Sequence, residues 1–154
     1  MPRNAKTGLP KKRQVALEEQ AYASLRLTSD VLARAVEKLL KSADISPTQY
    51  NVLRILRGSP QGLPCSDIAG RMITRDPDIT RLLDRLEKSG LATRCREAKD
   101  RRVVLTRITA KGLRLLETLD KPVRELHRKQ LSHLGREHLR TLLELLQSAR
   151  RQVD

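Results

Sequence analysis

Residues 63–91 read LPCSDIAGRMITRDPDITRLLDRLEKSGL, and this stretch decides the fold. Gly62-Leu63-Pro64 leads into a short helix over about residues 65–72, with Ile68 and Ala69 turned inward. Residues 73–75 form a turn. Asp76-Pro77 then opens a second helix, a cap residue followed by proline at the first helical position. Ile79, Leu82, Leu83 and Leu86 recur at i, i+3, i+4 and i+7, the spacing of one buried helical stripe. Gly90 stops that helix at the residue past its C-cap. The opposite face carries Asp78, Thr80, Arg81, Asp84, Arg85 and Lys88. Two short helices about a turn, the second with a polar and mostly basic outer face, form a helix-turn-helix.

The flanks extend this reading. Downstream, residues 91–96 and 103–108 are β-prone runs on either side of Glu97-Ala98-Lys99-Asp100-Arg101-Arg102, which predicts a hairpin with a long charged tip. A hairpin in that place is a wing. The helix fits a major groove, and an Arg-rich tip suits the narrow minor groove of A·T tracts. Upstream, Ser46-Pro47-Thr48-Gln49 is a capping box with a favourable proline, and Tyr50, Val52, Leu53, Ile55 and Leu56 continue its helix to Gly58-Ser59-Pro60.

Long helices are predicted at both ends. Leu17, Ala21, Leu25, Thr28, Leu32, Ala35 and Leu39 mark one over residues 15–42, widened by Val31, Val36 and Leu40 beyond what one neighbour needs. Thr109 caps another, carrying Leu113, Leu116, Leu119, Val123 and Leu126, with Pro122 expected to kink or split it. A last helix after Gly135 carries Leu139, Leu142, Leu143, Leu146 and Ala149. The expected fold class is mainly α: a winged helix-turn-helix with a small β-hairpin wing and long terminal helices. Its segments are a basic arm at 1–14, a first long helix at 15–45, the winged region at 46–112 and terminal helices at 113–154.

Composition narrows the function. The 154 residues hold 32 Lys+Arg against 18 Asp+Glu, a formal net charge of +14, so a polyanionic partner is expected, duplex nucleic acid first. Tyr22 and Tyr50 are the sole aromatic residues, which argues against single-strand binders that stack bases on aromatic rings. No run approaches the 18 or so apolar residues of a membrane span, and no apolar segment follows the basic N-terminus. Cys65 and Cys95 make no disulfide framework. A soluble, cytoplasmic protein without membrane contact is expected. No metal is expected: His127, His133 and His138 are six and five residues apart and point to different helix faces, and no Cys/His ligand motif occurs. Nor is an enzyme or a cofactor, since no glycine-rich phosphate loop and no nucleophile–base pair can be named. Cys65, near a helix start, and Cys95 read as structural.

Thr80-Arg81-Leu82-Leu83-Asp84-Arg85-Leu86-Glu87-Lys88-Ser89-Gly90-Leu91, followed by Asp100-Arg101-Arg102-Val103 and Ile108-Thr109-Ala110-Lys111-Gly112, resembles the signature stretch of the MarR family of bacterial transcription regulators. Ser46 to Leu53 is similar to the start of that family's second helix, and the resemblance spans roughly residues 20–150. It implies a winged-helix homodimer whose first and last helices interlock, with Leu17, Leu25, Leu32, Leu139, Leu142, Leu143 and Leu146 on the dimer face. It implies binding to pseudo-palindromic duplex DNA, usually as a repressor relieved by a small lipophilic or phenolic effector. The recognition positions fall on residues 75–85, with Arg75, Asp78, Thr80 and Arg81 facing the groove and Arg85 beside them. For Arg81 and Asp84 the competing reading is an ion pair on the helix surface. In the wing, Asp100 matches the acid that orients Arg102 into the minor groove, and Arg101 is a second contact. Arg94, Arg96, Lys99 and Arg107 are phosphate contacts or merely solvated. Tyr50 either lines an effector pocket or belongs to the core. The rival functions are an architectural DNA binder of low sequence specificity, a small nuclease or hydrolase, and a protein adaptor built on the same fold.

Overall fold

Ser46 begins the first element of the winged region as its residue types dictate. Gln49 N–H donates to Ser46 Oγ at 3.1 Å, and Ser46 N–H donates back to Gln49 Oε1 at 2.9 Å. This reciprocal cap starts a helix with Pro47 in its first turn. The computed structural model describes residues 15–74, 76–96 and 102–151. The elements run α1 (Leu17–Lys41), α2 (Pro47–Arg57), β1 (Leu63–Pro64), α3 (Cys65–Arg71), α4 (Ile79–Lys88), β2 (Ala92–Arg96), β3 (Val104–Ile108), α5 (Ala110–Leu131), a 3-10 turn (Ser132–Leu134) and α6 (Gly135–Arg151). The chain packs as two units, residues 1–33 and 34–154, divided within α1.

The described part of the first unit is helical. Glu18 and Glu19 in its first turn offset the exposed N–H groups of the helix end. Leu17, Tyr22, Leu25, Leu27 and Val31 are all exposed.

The second unit holds the core. Leu40, Val52, Leu53, Leu56, Ile68, Leu82, Leu86 and Leu116 are fully buried and form one cluster with Tyr50, Leu83, Leu91, Leu119 and Val123. The predicted stripe of α4 is therefore its buried face, with Ile79 half-buried at the edge. The hairpin strands pair antiparallel with Arg94 opposite Thr106 and Cys95 opposite Leu105. They belong to a three-stranded sheet ordered β1-β3-β2, because Leu63 and Pro64 pair with Thr106 and Leu105. This is the mostly helical winged helix-turn-helix read from the sequence.

Two local expectations change, and one strand is added. The cap of α4 is Asp78 rather than Asp76. Asp78 accepts the Arg81 N–H at 3.1 Å, while Asp76 accepts the Asp78 N–H at 2.9 Å in a turn of its own. Pro77 accordingly precedes the helix. Pro122 does not split α5, which runs unbroken from Ala110 to Leu131. Proline removes one N–H, and Leu119 and Val123, buried on either side of it, hold the helix to the core. The added strand is β1, whose two residues carry no periodicity. Its proline is tolerated because β1 lies at the sheet edge.

The junction between α4 and α5 is closely tied. Gly90, at φ +71°, turns the chain in a conformation that L side chains rarely adopt. The Thr109 hydroxyl accepts the Gly112 N–H at 3.1 Å and donates to the Gly90 carbonyl at 2.7 Å. Thr109 N–H donates to the Leu91 carbonyl at 3.1 Å, and Lys111 Nζ to the Ser89 carbonyl at 2.8 Å. Gly112 has no room for a side chain: a Cβ there would lie 2.4 Å from the Leu91 carbonyl oxygen.

Candidate nucleic-acid interface

Because Leu82, Leu83 and Leu86 are buried, the rest of α4 has a fixed outward aspect. Arg81, Arg85 and Lys88 follow at four- and three-residue steps and share one exposed side. Thr80 is exposed as well. The Arg81 side chain is 76 % exposed, with Nε 3.7 Å from Asp78 Oδ2. Asp78 thus holds the helix N-terminus and stands beside the arginine. The competing reading, an ion pair between Arg81 and Asp84, is not what forms: Asp84 binds Arg94 of β2, and Arg81 stands beside Asp78.

On the sheet, Arg96 is exposed at the end of β2, and Arg102 is exposed at the near end of the returning segment. Arg94 is turned back onto α4, where Asp84 and Glu87 receive it. Arg107 is also engaged, its Nε donating to the Gln61 carbonyl at 2.9 Å. Arg75, Lys99, Asp100 and Arg101, like the 1–14 arm, lie outside the described residues.

A second feature adjoins the helix-turn-helix. A cavity of about 220 Å³ is lined by Val36, Leu40, Pro47, Thr48, Tyr50, Asn51, Arg54, Met72, Ile73, Thr74 and His127. Tyr50 is at once buried core and cavity wall, and the Arg54 guanidinium stands 5.8 Å from its ring centroid. Its lining is mixed, with Val36, Leu40 and Met72 beside Arg54 and His127. Asn51 is a residue that sequence reasoning missed. Its Oδ1 accepts the Ile73 N–H at 3.0 Å, tying the turn before α4 to α2. No periodicity or composition signal marks it.

Another missed pair joins the C-terminal end of α2 to α5. Arg57 Nη1 and Nη2 donate to the two carboxylate oxygens of Asp120 on α5, at 2.8 and 3.1 Å. These hydrogen bonds lower the Asp120 pKa and raise that of Arg57, against the opposing effect of partial burial. The two residues are 63 positions apart, so no local pattern could have linked them.

The leucines assigned to a dimer face stay partly open to solvent. Leu139, Leu142 and Leu146 are half-buried on α6, Leu143 is 58 % exposed, and α6 has no fully buried residue. Leu32 is half-buried, whereas Leu17 and Leu25 are exposed. Among the described residues, no helix is long and apolar enough to cross a membrane, and no group of three His, Cys, Asp or Glu residues could hold a metal ion.

Comparison with known proteins places this architecture. The MarR family model matches residues 45–104. The HTH-type transcriptional regulator FarR of Neisseria gonorrhoeae is 31% identical over 117 residues, covering 76% of this chain and 80% of FarR. Among solved structures, a MarR transcription factor from Planctomyces limnophilus is 40% identical with a TM-score of 0.67, covering 88% of this chain and 98% of that one. The S. aureus MepR–DNA complex has a TM-score of 0.77 at 23% identity, over 90% of this chain and 99% of that one. The described fold, the α4 and hairpin arrangement and these likenesses together establish that the chain belongs to the MarR family of transcriptional regulators.

Proposed function

We propose that this regulator works as a homodimer that binds pseudo-palindromic duplex DNA through residues 46–112, and that it represses transcription in the cytoplasm. The observation that carries the reading is the split of α4 into a buried leucine stripe and an exposed side bearing Arg81 and Arg85. Such a helix, held by its own core, can enter a major groove and offer donors to base edges. Arg96 and Arg102 extend the basic surface along the hairpin, and Arg75, Lys99, Asp100 and Arg101 are assigned to it from sequence. A net charge of +14 favours association with a polyanion. The fold shared with a protein crystallised on DNA supports the same mode of docking. A dimer seated on an operator excludes other proteins from it, which is repression in its simplest form.

The cavity beside Tyr50, Arg54 and His127 is the proposed effector site, suited to a small lipophilic or phenolic compound. Occupancy there bears on α2 and on the turn that precedes α4, and so on the presentation of the recognition helix.

The test is enrichment of bound sequences from randomised duplex DNA, followed by competition with unrelated duplex. A recovered inverted repeat that outcompetes random DNA at physiological salt is the expected result. Equal binding to every duplex would replace the regulator with an architectural binder.

A further inference from the structure

Asp84 and Glu87 lie three residues apart on α4 and project from the same side. Arg94 of β2 meets both. Its guanidinium donates to Asp84 Oδ1, its Nε lies 3.7 Å from Glu87 Oε2, and its backbone N–H donates to Glu87 Oε1 at 3.1 Å. One residue of the hairpin is thus fastened to α4 by both its main chain and its side chain. The side chain is 26 % exposed, against 76 % for Arg81 on the outward face.

The charges add to the argument. Two carboxylates surround one guanidinium, so the cluster is net negative by one charge. A phosphate approaching Arg94 meets that negative charge and must displace carboxylates already bound to the guanidinium. A planar, rigid donor fork suits a fixed brace between two acids better than a flexible ammonium does. Arg96, two residues further along the same strand, is exposed on the same face of the sheet and meets no such pair of acids among the described residues.

We propose that Arg94 is a positioning residue that sets the angle of the hairpin against the recognition helix, through Asp84 and Glu87, and is not a phosphate ligand. The inference rests on reading α4 and the hairpin as the DNA interface. It changes the assignment of one arginine within that interface and makes two acids functional.

The experiment uses the full chain, a duplex enriched by the unaltered protein, and a scrambled duplex of equal composition. Affinity is measured across a salt series, per active dimer, beside a thermal melt. Asp84→Asn raises the positive charge of the surface, so the two assignments give opposite signs. A positioning role predicts weaker binding to the enriched duplex by about tenfold, with a smaller loss on the scrambled one. Arg94→Lys keeps the charge but not the fork and should lose a similar factor. Arg94→Gln should leave the slope of log K against log salt unchanged. Tighter binding by Asp84→Asn overturns the proposal, as does near-native binding by Arg94→Lys. So does a slope reduced by roughly 2 in Arg94→Gln, the mark of one lost phosphate contact per subunit at about 0.9 each. Lower melting temperatures with unchanged affinity per active dimer would reduce the cluster to a stability element and overturn it equally. Should the unaltered protein enrich no duplex, the interface reading itself falls. Should it enrich one while the variants behave as phosphate-ligand variants, the Arg94 assignment alone falls.

Discussion

Arg81 and Arg94 are the same residue type, thirteen positions apart, in opposite circumstances. One stands in solvent beside its cap acid; the other is drawn between two carboxylates of the neighbouring helix. Replacing Arg81 with alanine should cost about 1–3 kcal/mol of operator binding if its fork grips a base edge. The check is a comparison with random duplex: an equal loss on both would make Arg81 a phosphate or structural residue. Asp120 has a different sensitivity. Its folded pKa is lowered below the ordinary 3.8, chiefly by the hydrogen bonds from Arg57. Its contribution to stability is therefore complete above that ordinary value and is lost as the pH falls through the lower folded one. Water screens a pair whose side chains are each 34% exposed, so the contribution is at most about 1 kcal/mol. Acid titration of unfolding should show a shallower loss as the pH falls below 3.8 in Asp120→Asn than in the unaltered chain. Parallel curves would mean that the pair adds nothing to stability.

At the level of elements, much was legible because local signals and burial agree. The leucine stripe of α4, the capping box of α2 and the Thr109 cap of α5 each combine a cap residue with a matching apolar period. Such redundancy fixes element type from sequence alone. The start of α4 was misread for the same reason: Asp76-Pro77 and Asp78 both satisfy the rule for a cap, and only the closed hydrogen bond to the Arg81 N–H chooses between them. The pairings Arg57–Asp120 and Arg94–Asp84 were invisible, since nothing local tells an arginine which of several acids it will meet in the fold. Gly112 lies between these cases. It stands in the motif that suggested the family, yet its physical reason is the approach of the Leu91 carbonyl. Gly112→Ala should destabilise the fold by about 1–3 kcal/mol through forced separation of α5 from the end of α4. A denaturant melt checks this, and a neutral result would show that the junction can yield.

For the whole molecule, the deciding quantity is the apolar surface that one chain leaves uncovered. Leu143 and Leu145 on α6 are 58 % and 62 % exposed, and Leu17, Leu25, Leu27 and Val31 on the first helix are exposed too. A second copy is the proposed cover, so sedimentation should give a particle of twice 17.5 kDa. Leu143→Asp should shift it to the single-chain mass, because a carboxylate without a partner would be buried at the interface. An unaltered chain that sediments as a monomer at micromolar concentration would remove the dimer from the proposed function. The tied junction between α4 and α5 then acquires a mechanical meaning. A 22-residue helix is a rod about 33 Å long. Its first residues are clamped to the carbonyls of Ser89, Gly90 and Leu91, so it turns together with the end of the recognition helix. A tilt of about 5° at the clamp moves the far end of such a rod by about 3 Å. The junction is thus placed as the fulcrum of a lever: a few degrees of rotation there would be small along the short α4 and largest at the far end of α5.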